Sequence, residues 1–129
     1  MEKRKVIIAD DEPSIRALVS SVLGGDYVVL EASEGEGEAV DIARSQKPDL
    51  ILMDIMMPRL DGIGACCLLK SDIYTKAIPV IMVSIRSDKL DQDYSKEMGA
   101  DDYLTKPFSI KALLDKIKHY ELATCSTGS

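Results

Sequence analysis

Short apolar runs and helix-like stretches alternate five times along this chain. The apolar runs are, in order, Val6 to Ala9, Tyr27 to Leu30, Leu50 to Met53, Val80 to Val83 and Tyr103 to Leu104. The first, third and fourth runs are continuously apolar, as expected of strands that are covered on both faces. Strict alternation of strand and helix predicts an α/β fold, in which a parallel sheet carries helices on both sides.

The stretches between the runs carry the signals of helix ends. Pro13 suits the first position of a helix, and Gly24-Gly25 would end that helix. Ser33 and Glu36 have the spacing of a capping box at the start of the second helix. The later helices are predicted over Ile63 to Leu69, over Leu90 to Met98 before Gly99, and after Ser109.

Length and composition favour one globular domain. A chain of 129 residues is of single-domain size and can bury roughly two thirds of the surface that it exposes when unfolded. Hydrophobic residues make up 46% of the chain and charged residues 29%, a balance typical of folded domains. We predict a domain over residues 1–122 and a tail over residues 123–129, which would be flexible, the start of a linker or an artificial remnant.

Charge and cysteine content exclude several classes of protein. The net charge of −6 disfavours direct nucleic-acid binding, because phosphate backbones are held mainly by Lys and Arg. The first apolar run stops at Asp10, which is too early for a secretory core or a membrane span. Three cysteines, Cys66, Cys67 and Cys125, form neither a disulfide framework nor a zinc spacing. We therefore expect a soluble cytoplasmic protein that does not bind membranes, as a monomer or weak dimer.

Polar residues follow four of the five runs. Asp10 and Asp11 come directly after the first run, Asp54 after the third, Ser84 after the fourth, and Lys106 shortly after the fifth. In an open parallel sheet, ligands bind outside the carboxyl ends of the strands. Polar groups of different kinds at four strand ends therefore predict one site at that edge.

These residue types suit metal-assisted phosphoryl transfer. Neighbouring carboxylates repel one another unless a cation or proton joins them, and Mg²⁺ (with Mn²⁺ as an alternative) prefers a few carboxylates plus water or phosphate oxygens. Asp54 can act as a nucleophile and become an acyl phosphate. Lys106 offers a positive charge to one phosphate oxygen, and the Ser84 hydroxyl can hydrogen-bond to another.

Each of these residues also has an ordinary structural interpretation. The acidic segment Asp10 to Glu12 alone would equally well cap the following helix. Asp54 alone would more often be a turn residue, and Lys106 alone would more often be a solvated side chain. Their joint occurrence at consecutive strand ends is what favours a site over these separate explanations.

Three segments resemble the response-regulator receiver domains of two-component signalling. They are VIIADDE (Val6 to Glu12), PDLILMDIMMPRLDG (Pro48 to Gly62) and GADDYLTKPF (Gly99 to Phe108), and the likeness extends from about Lys5 to Tyr120. The resemblance implies a doubly wound, five-stranded parallel sheet of order 2-1-3-4-5, a flavodoxin-like (βα)5 three-layer sandwich.

The resemblance also implies a role for each site residue. Asp54 would be the phosphoacceptor. Asp10 and Asp11 would bind the metal together with Asp54 and the backbone carbonyl of Met56. Lys106 would contact the phosphoryl group, which a sensor histidine kinase or a histidine phosphotransfer protein would donate from a phosphohistidine.

The same resemblance implies a switch. Ser84 would move toward the phosphoryl group and Tyr103 would occupy the vacated space, which changes the surface formed by the fourth helix, fifth strand and fifth helix. That surface would act on a downstream output domain or protein. The bond between Lys106 and Pro107 is expected to be cis.

One position departs from the family pattern. Ile85 follows Ser84, where the family usually has a small residue, and its branched side chain would restrict access to an acyl phosphate. We hypothesise that Ile85 changes the rate of phosphoryl loss; the equally weighted alternative is that Ile85 is an ordinary apolar residue beside the sheet edge. The lifetime of phospho-Asp54 in an Ile85→Ala variant tests this, and an unchanged lifetime would defeat it.

Other functions remain open from the residues alone. A haloacid-dehalogenase-like phosphohydrolase also uses an aspartyl nucleophile and magnesium, but that class has a D-x-D pattern near its first strand, whereas Asp10 and Asp11 are adjacent here. A pseudo-receiver would bind partners without being phosphorylated. The presence of the full set of site residues, Asp10, Asp11, Asp54, Ser84 and Lys106, argues against this alternative. Flavodoxin-like cofactor binding is disfavoured because no phosphate-binding loop follows the first strand.

Overall fold

The computed structural model describes residues 4–33, 38–55, 62–85 and 89–128, without the side chains of residues 62, 63, 91 and 121–128. Strands and helices alternate along these residues, as the apolar runs predicted. The elements are β1 Arg4–Ala9, α1 Pro13–Leu23, β2 Tyr27–Ala32, α2 Val40–Gln46, β3 Leu50–Asp54, α3 Gly62–Ser71, β4 Val80–Ser84, α4 Lys89–Glu97, β5 Asp102–Thr105 and α5 Ile110–Gly128.

The strands form one parallel sheet in the order β2-β1-β3-β4-β5. The predicted fold class and strand order are therefore confirmed. The order reverses between β1 and β3, which lie side by side with Ala9 opposite Met53. Asp10 and Asp54, the residues that follow this pair, consequently come to the same point of the edge where the strands end, which we call the carboxyl edge.

The sheet separates two apolar core layers. One layer, on the side of α2 and α3, contains Ile7, Ala9, Ala43, Ile51, Met53, Leu69, Val80, Met82 and Tyr103 among others. The other, on the side of α1 and α5, contains Val6, Ile8, Val19, Leu23, Leu52, Ile81, Val83, Leu113 and Ile117 among others. Successive residues of one strand thus enter opposite layers, which explains why β1, β3 and β4 are apolar without alternation.

Several predicted helix ends are confirmed. Pro13 is at the start of α1, and the Gly24 N–H donates to the Ser20 carbonyl at 2.8 Å where that helix ends. At the start of α5, the Ala112 N–H donates to Ser109 Oγ at 3.0 Å, which satisfies a backbone donor of the first turn. These local signals fix where the helices begin and end relative to the sheet.

Two predictions concern segments at the limits of the described residues. Glu36 of the predicted capping box lies outside them, and the Ser33 N–H donates instead to Glu38 Oε1 at 3.2 Å. Residues 123–128, expected as a tail, continue α5 to Gly128. The helix extends because no proline or glycine interrupts it before that residue. The domain boundary at residue 122 stays a prediction.

Candidate functional site

Backbone hydrogen bonds extend the strand ladders past the ends of the strands. The Asp10 N–H donates to the Ala32 carbonyl at 2.9 Å, and the Lys106 N–H donates to the Ser84 carbonyl at 2.7 Å. These bonds tie the end of β1 to that of β2 and the end of β5 to that of β4. Asp10 and Lys106 therefore each begin at a main-chain hydrogen bond to the neighbouring strand.

The Lys106 ammonium group lies among three carboxylates. Its Nζ is 2.8 Å from Asp10 Oδ2, 3.6 Å from Glu12 Oε1 and 3.7 Å from Asp54 Oδ2. Asp10 is fully buried, Asp54 is 4% exposed and Lys106 is 9% exposed. The structure thus brings Asp10, Asp54 and Lys106 together although they are far apart in the chain, and the negative charges exceed the positive one.

Three consecutive acidic side chains could hold a metal ion. Carboxylate oxygens of Asp10, Asp11 and Glu12 lie within 4.8 Å of one another. Hard oxygen donors of this kind, together with the surplus negative charge around Lys106, fit Mg²⁺. Met56, the predicted carbonyl ligand, lies outside the described residues.

Burial and charge act in opposite directions on Lys106. Burial of the ammonium group alone would lower the pKa of Lys106. The hydrogen bond to Asp10 and the negative charges of Asp54, Asp10 and Glu12 outweigh burial and raise this pKa above its ordinary value. The side chain consequently remains an ammonium ion at neutral pH.

The predicted switch residues occupy neighbouring strands. Ser84 is 1% exposed at the end of β4, and Tyr103 is 9% exposed within β5, where it belongs to the core layer of α2 and α3. Ile85, the residue that departs from the family pattern, is 72% exposed. The Lys106-Pro107 peptide bond is cis, as predicted.

Two residues near the site were missed by sequence reasoning. Glu12 was considered only as a helix cap, yet its side chain makes no capping hydrogen bond and lies near Lys106 instead. Arg16 donates through Nη1 to the Asp10 carbonyl at 2.7 Å, and its Nε lies 3.4 Å from Glu31 Oε1. The contacts of Arg16 are to a backbone carbonyl and to a side chain of β2, so no short-range sequence pattern indicates them.

Comparison with known proteins identifies the family. The sequence model for the response regulator receiver domain matches residues 6–118. This chain belongs to that family. The match includes residues of all five strands, so the resemblance inferred from three short segments is confirmed for the receiver domain as a whole. Receiver domains act in two-component signalling, and they are generally signalling modules rather than enzymes that turn over a substrate.

Relatives and solved structures agree with this assignment. A "probable transcriptional regulator ycf27" of Porphyridium aerugineum is 41% identical over 121 residues, which are 92% of this chain and 48% of that protein. The chain therefore spans about half the length of that curated relative. The receiver domain superposes on the Vibrio cholerae chemotaxis protein CheY4 with a TM-score of 0.87 and 29% identity, covering 92% of this chain and 99% of that one.

A second solved receiver domain contains a metal ion. The receiver domain of the sensor histidine kinase PA1611 from Pseudomonas aeruginosa PAO1, with a magnesium ion coordinated in its active-site cleft, has a TM-score of 0.84 and 26% identity, covering 92% of this chain and 98% of that one. Receiver domains generally bind Mg²⁺ in this site. Among the residues that the structure describes here, no helix is both long and apolar enough to cross a membrane.

Proposed function

We propose that this receiver domain accepts a phosphoryl group on Asp54 from a phosphohistidine of a sensor histidine kinase or a histidine phosphotransfer protein. The observation that carries the proposal is the position of Asp54, nearly buried at the carboxyl edge with its Oδ2 3.7 Å from Lys106 Nζ. A buried carboxylate beside an ammonium group and further carboxylates can hold a divalent cation and an anionic reactant at once.

The reaction transfers the phosphoryl group between two side chains. An oxygen of Asp54 attacks the phosphorus, an O–P bond forms, and the N–P bond breaks with its electron pair remaining on the imidazole nitrogen. Mg²⁺ held by Asp10, Asp11, Asp54 and the Met56 carbonyl would offset the charge on the transferred oxygens. Lys106 binds one of these oxygens, since a small torsional change brings its ammonium group toward Asp54.

The proposed output is a change in surface. Phosphorylation adds roughly −1.5 to −2 charges at Asp54. The buried Ser84 hydroxyl turns toward the new phosphoryl oxygens, and Tyr103 on the neighbouring strand adjusts with it. The α4, β5 and α5 surface would exchange between two arrangements. Phosphorylation can shift their populations only by the difference between its interaction free energies with the two arrangements.

The setting of the reaction is also part of the proposal. The free thiols of Cys66 and Cys67 suit a reducing cytoplasm. The ycf27 relative is a probable transcriptional regulator of about twice this length, so a DNA-regulating output, on the same chain or on a partner, is one that this receiver domain would control. Asp54 is modified stoichiometrically, and no external substrate is turned over.

Incubation with acetyl phosphate and Mg²⁺, followed by intact-mass measurement, tests the proposal. We expect one phosphate adduct on the wild-type chain, and no adduct on Asp54→Asn or without Mg²⁺. The matched control is Asp26→Asn, because Asp26 lies in the turn before β2 at the opposite edge of the sheet and should leave the adduct intact. A wild-type chain that remains unmodified would indicate a pseudo-receiver, and continuous hydrolysis of phosphate esters would indicate a phosphohydrolase.

A further inference from the structure

Both carboxylate oxygens of Asp10 are already engaged. Asp10 Oδ1 accepts the Glu12 N–H at 2.9 Å, and Asp10 Oδ2 accepts Lys106 Nζ at 2.8 Å. Asp10 is fully buried, so water does not separate these charges. A divalent cation that binds Asp10 must therefore compete with an ammonium group at hydrogen-bond distance, and two cations this close repel strongly.

The ammonium group needs another carboxylate when it leaves Asp10. Asp54 Oδ2, at 3.7 Å, is one candidate, but Asp54 is needed for the cation and for the phosphoryl group. Glu12 Oε1, at 3.6 Å, is the other. This separation is slightly longer than a hydrogen bond. A small rotation of the Lys106 or Glu12 side chain would bring the two groups to hydrogen-bond distance.

Glu12 is suited to this exchange by its surroundings. Its side chain is 56% exposed at the rim of the site, whereas those of Asp10 and Asp54 are almost wholly enclosed. Its backbone N–H, which donates to Asp10, keeps the residue beside the site while its side chain remains able to move. An exposed carboxylate can accept the ammonium group without the desolvation penalty that a buried one would incur.

We propose that Glu12 is a positioning residue that receives the Lys106 ammonium group when a divalent cation takes Asp10. The inference rests on the proposed function, because it assumes that the cation binds at Asp10. Glu12 thereby holds the ammonium charge at the rim, where phosphoryl oxygens arrive, and favours entry of the cation. It acts through Lys106, which distinguishes this role from that of a direct metal ligand.

A double-mutant cycle separates these roles. Mg²⁺ affinity is measured by isothermal titration calorimetry for the wild type, Glu12→Gln, Lys106→Met and the double variant, with Asp26→Asn as a control for loss of one remote negative charge. We expect Glu12→Gln to weaken Mg²⁺ binding about fivefold when Lys106 is present and less than about twofold in the Lys106→Met background. Asp26→Asn should leave the affinity unchanged.

The Nζ resonance of Lys106 in ¹⁵N-labelled protein gives a readout that does not depend on affinity. Saturating Mg²⁺ should move this resonance in the wild type, and the shift should differ in Glu12→Gln because the ammonium group has lost its new partner. The Gln substitution retains the backbone N–H donor to Asp10, and thermal unfolding without metal checks that each variant is folded.

The possible outcomes are distinct. Equal weakening in both backgrounds would assign Glu12 to the metal directly or to a general charge effect, and no weakening in either would remove it from the site; each result overturns the inference. A wild-type chain that binds no Mg²⁺ overturns both the inference and the proposed function. Wild-type binding together with an additive cycle overturns the inference alone.

Discussion

Lys70 and Lys106 both lie in polar clusters, but the two clusters differ in how many carboxylates surround the ammonium group. Lys70, on α3, donates through Nζ to the Ile78 carbonyl and to Asp101 Oδ2, both at 2.7 Å, and to the Lys76 carbonyl at 3.3 Å. Its three donors meet three acceptors, only one of which is charged. The same Asp101 oxygen accepts the Val80 N–H at 2.9 Å, so the cluster joins α3, β4 and the segment before β5.

The cluster around Lys106 is not balanced in this way. One hydrogen bond, to Asp10, is made at 2.8 Å, while the carboxylates of Glu12 and Asp54 remain beyond hydrogen-bond distance. Lys70 thus has one carboxylate partner and two carbonyl partners, whereas Lys106 lies within 4 Å of three carboxylates. Several buried charges gathered around one ion are thus a better sign of function than a single ion pair as such.

The largest expected difference between the two lysines is in the rate of phosphorylation. Lys106→Met should slow phosphate adduct formation from acetyl phosphate about 10- to 100-fold, because a charge-assisted contact to the phosphoryl group is lost. Lys70→Met is the matched control and should remain within about twofold of the wild type, although it lowers stability. Equal slowing by both substitutions would contradict the functional distinction, provided that thermal unfolding shows both variants folded.

A substitution at Gly99 tests whether the Lys70 cluster contributes to the stability of the fold. Gly99 has a φ of +108°, and a Cβ at this position would lie 2.8 Å from Lys70 Cγ. Gly99→Ala should therefore lower the free energy of unfolding by about 1–3 kcal/mol, from backbone strain and displacement of the lysine stem. Urea denaturation measures the loss.

Gly25 provides a matched control for Gly99. A Cβ at Gly25 would meet nothing within 4 Å, so Gly25→Ala should change stability by less than about 0.5 kcal/mol. The Gly99→Ala protein should still form the phosphate adduct at the wild-type rate at a temperature where it is folded. A loss of phosphorylation without a loss of stability would show that the Lys70 cluster is not purely structural.

The smallest expected effect concerns Asp102, another carboxylate with matched partners. Asp102 accepts hydrogen bonds from Lys116 Nζ at 2.7 Å, from the Tyr103 N–H at 2.8 Å and from the Tyr120 hydroxyl at 3.1 Å. Burial alone would raise the pKa of Asp102, but these hydrogen bonds and the Lys116 charge lower it below its ordinary value of 3.8. The folded state therefore holds this proton less tightly than the unfolded state does.

The sign of the pH dependence follows from this lowered pKa. The stabilisation from Asp102 is present above its unfolded pKa and is lost as the pH falls through its folded pKa. The free energy of unfolding, measured by urea denaturation at about pH 3 and about pH 7, should fall more in the wild type than in Asp102→Asn. The same fall in both proteins would mean that the three hydrogen bonds contribute no net preference for the ionised form.

Much of the fold was predictable because the strands are covered on both faces. The runs that became β1, β3 and β4 are continuously apolar, and parallel topology then brings Asp10, Asp54 and Lys106 to one edge whatever their side-chain conformations. Strand direction and order, which the sequence pattern carries, are enough for this placement. Strand direction and order do not indicate that Lys106 pairs with Asp10 more closely than with Asp54.

The missed details depend on side-chain rotation and on the extent of helices. Glu12 at the start of α1 is equally compatible with capping that helix and with facing Lys106, and its torsion angles decide between them. The extension of α5 to Gly128 was missed because small polar residues have weak helix preference, whereas elongation of an existing helix is much easier than starting one. Sequence pattern therefore locates the site better than it describes the contacts within it.

The main-chain bond between the Lys106 N–H and the Ser84 carbonyl, at 2.7 Å, makes the domain useful for protein engineering. Because neither side chain takes part in it, replacing the Ser84 hydroxyl should leave this bond in place. A designer can thus vary the side chain at one strand end while the main-chain bond to the neighbouring strand end is retained.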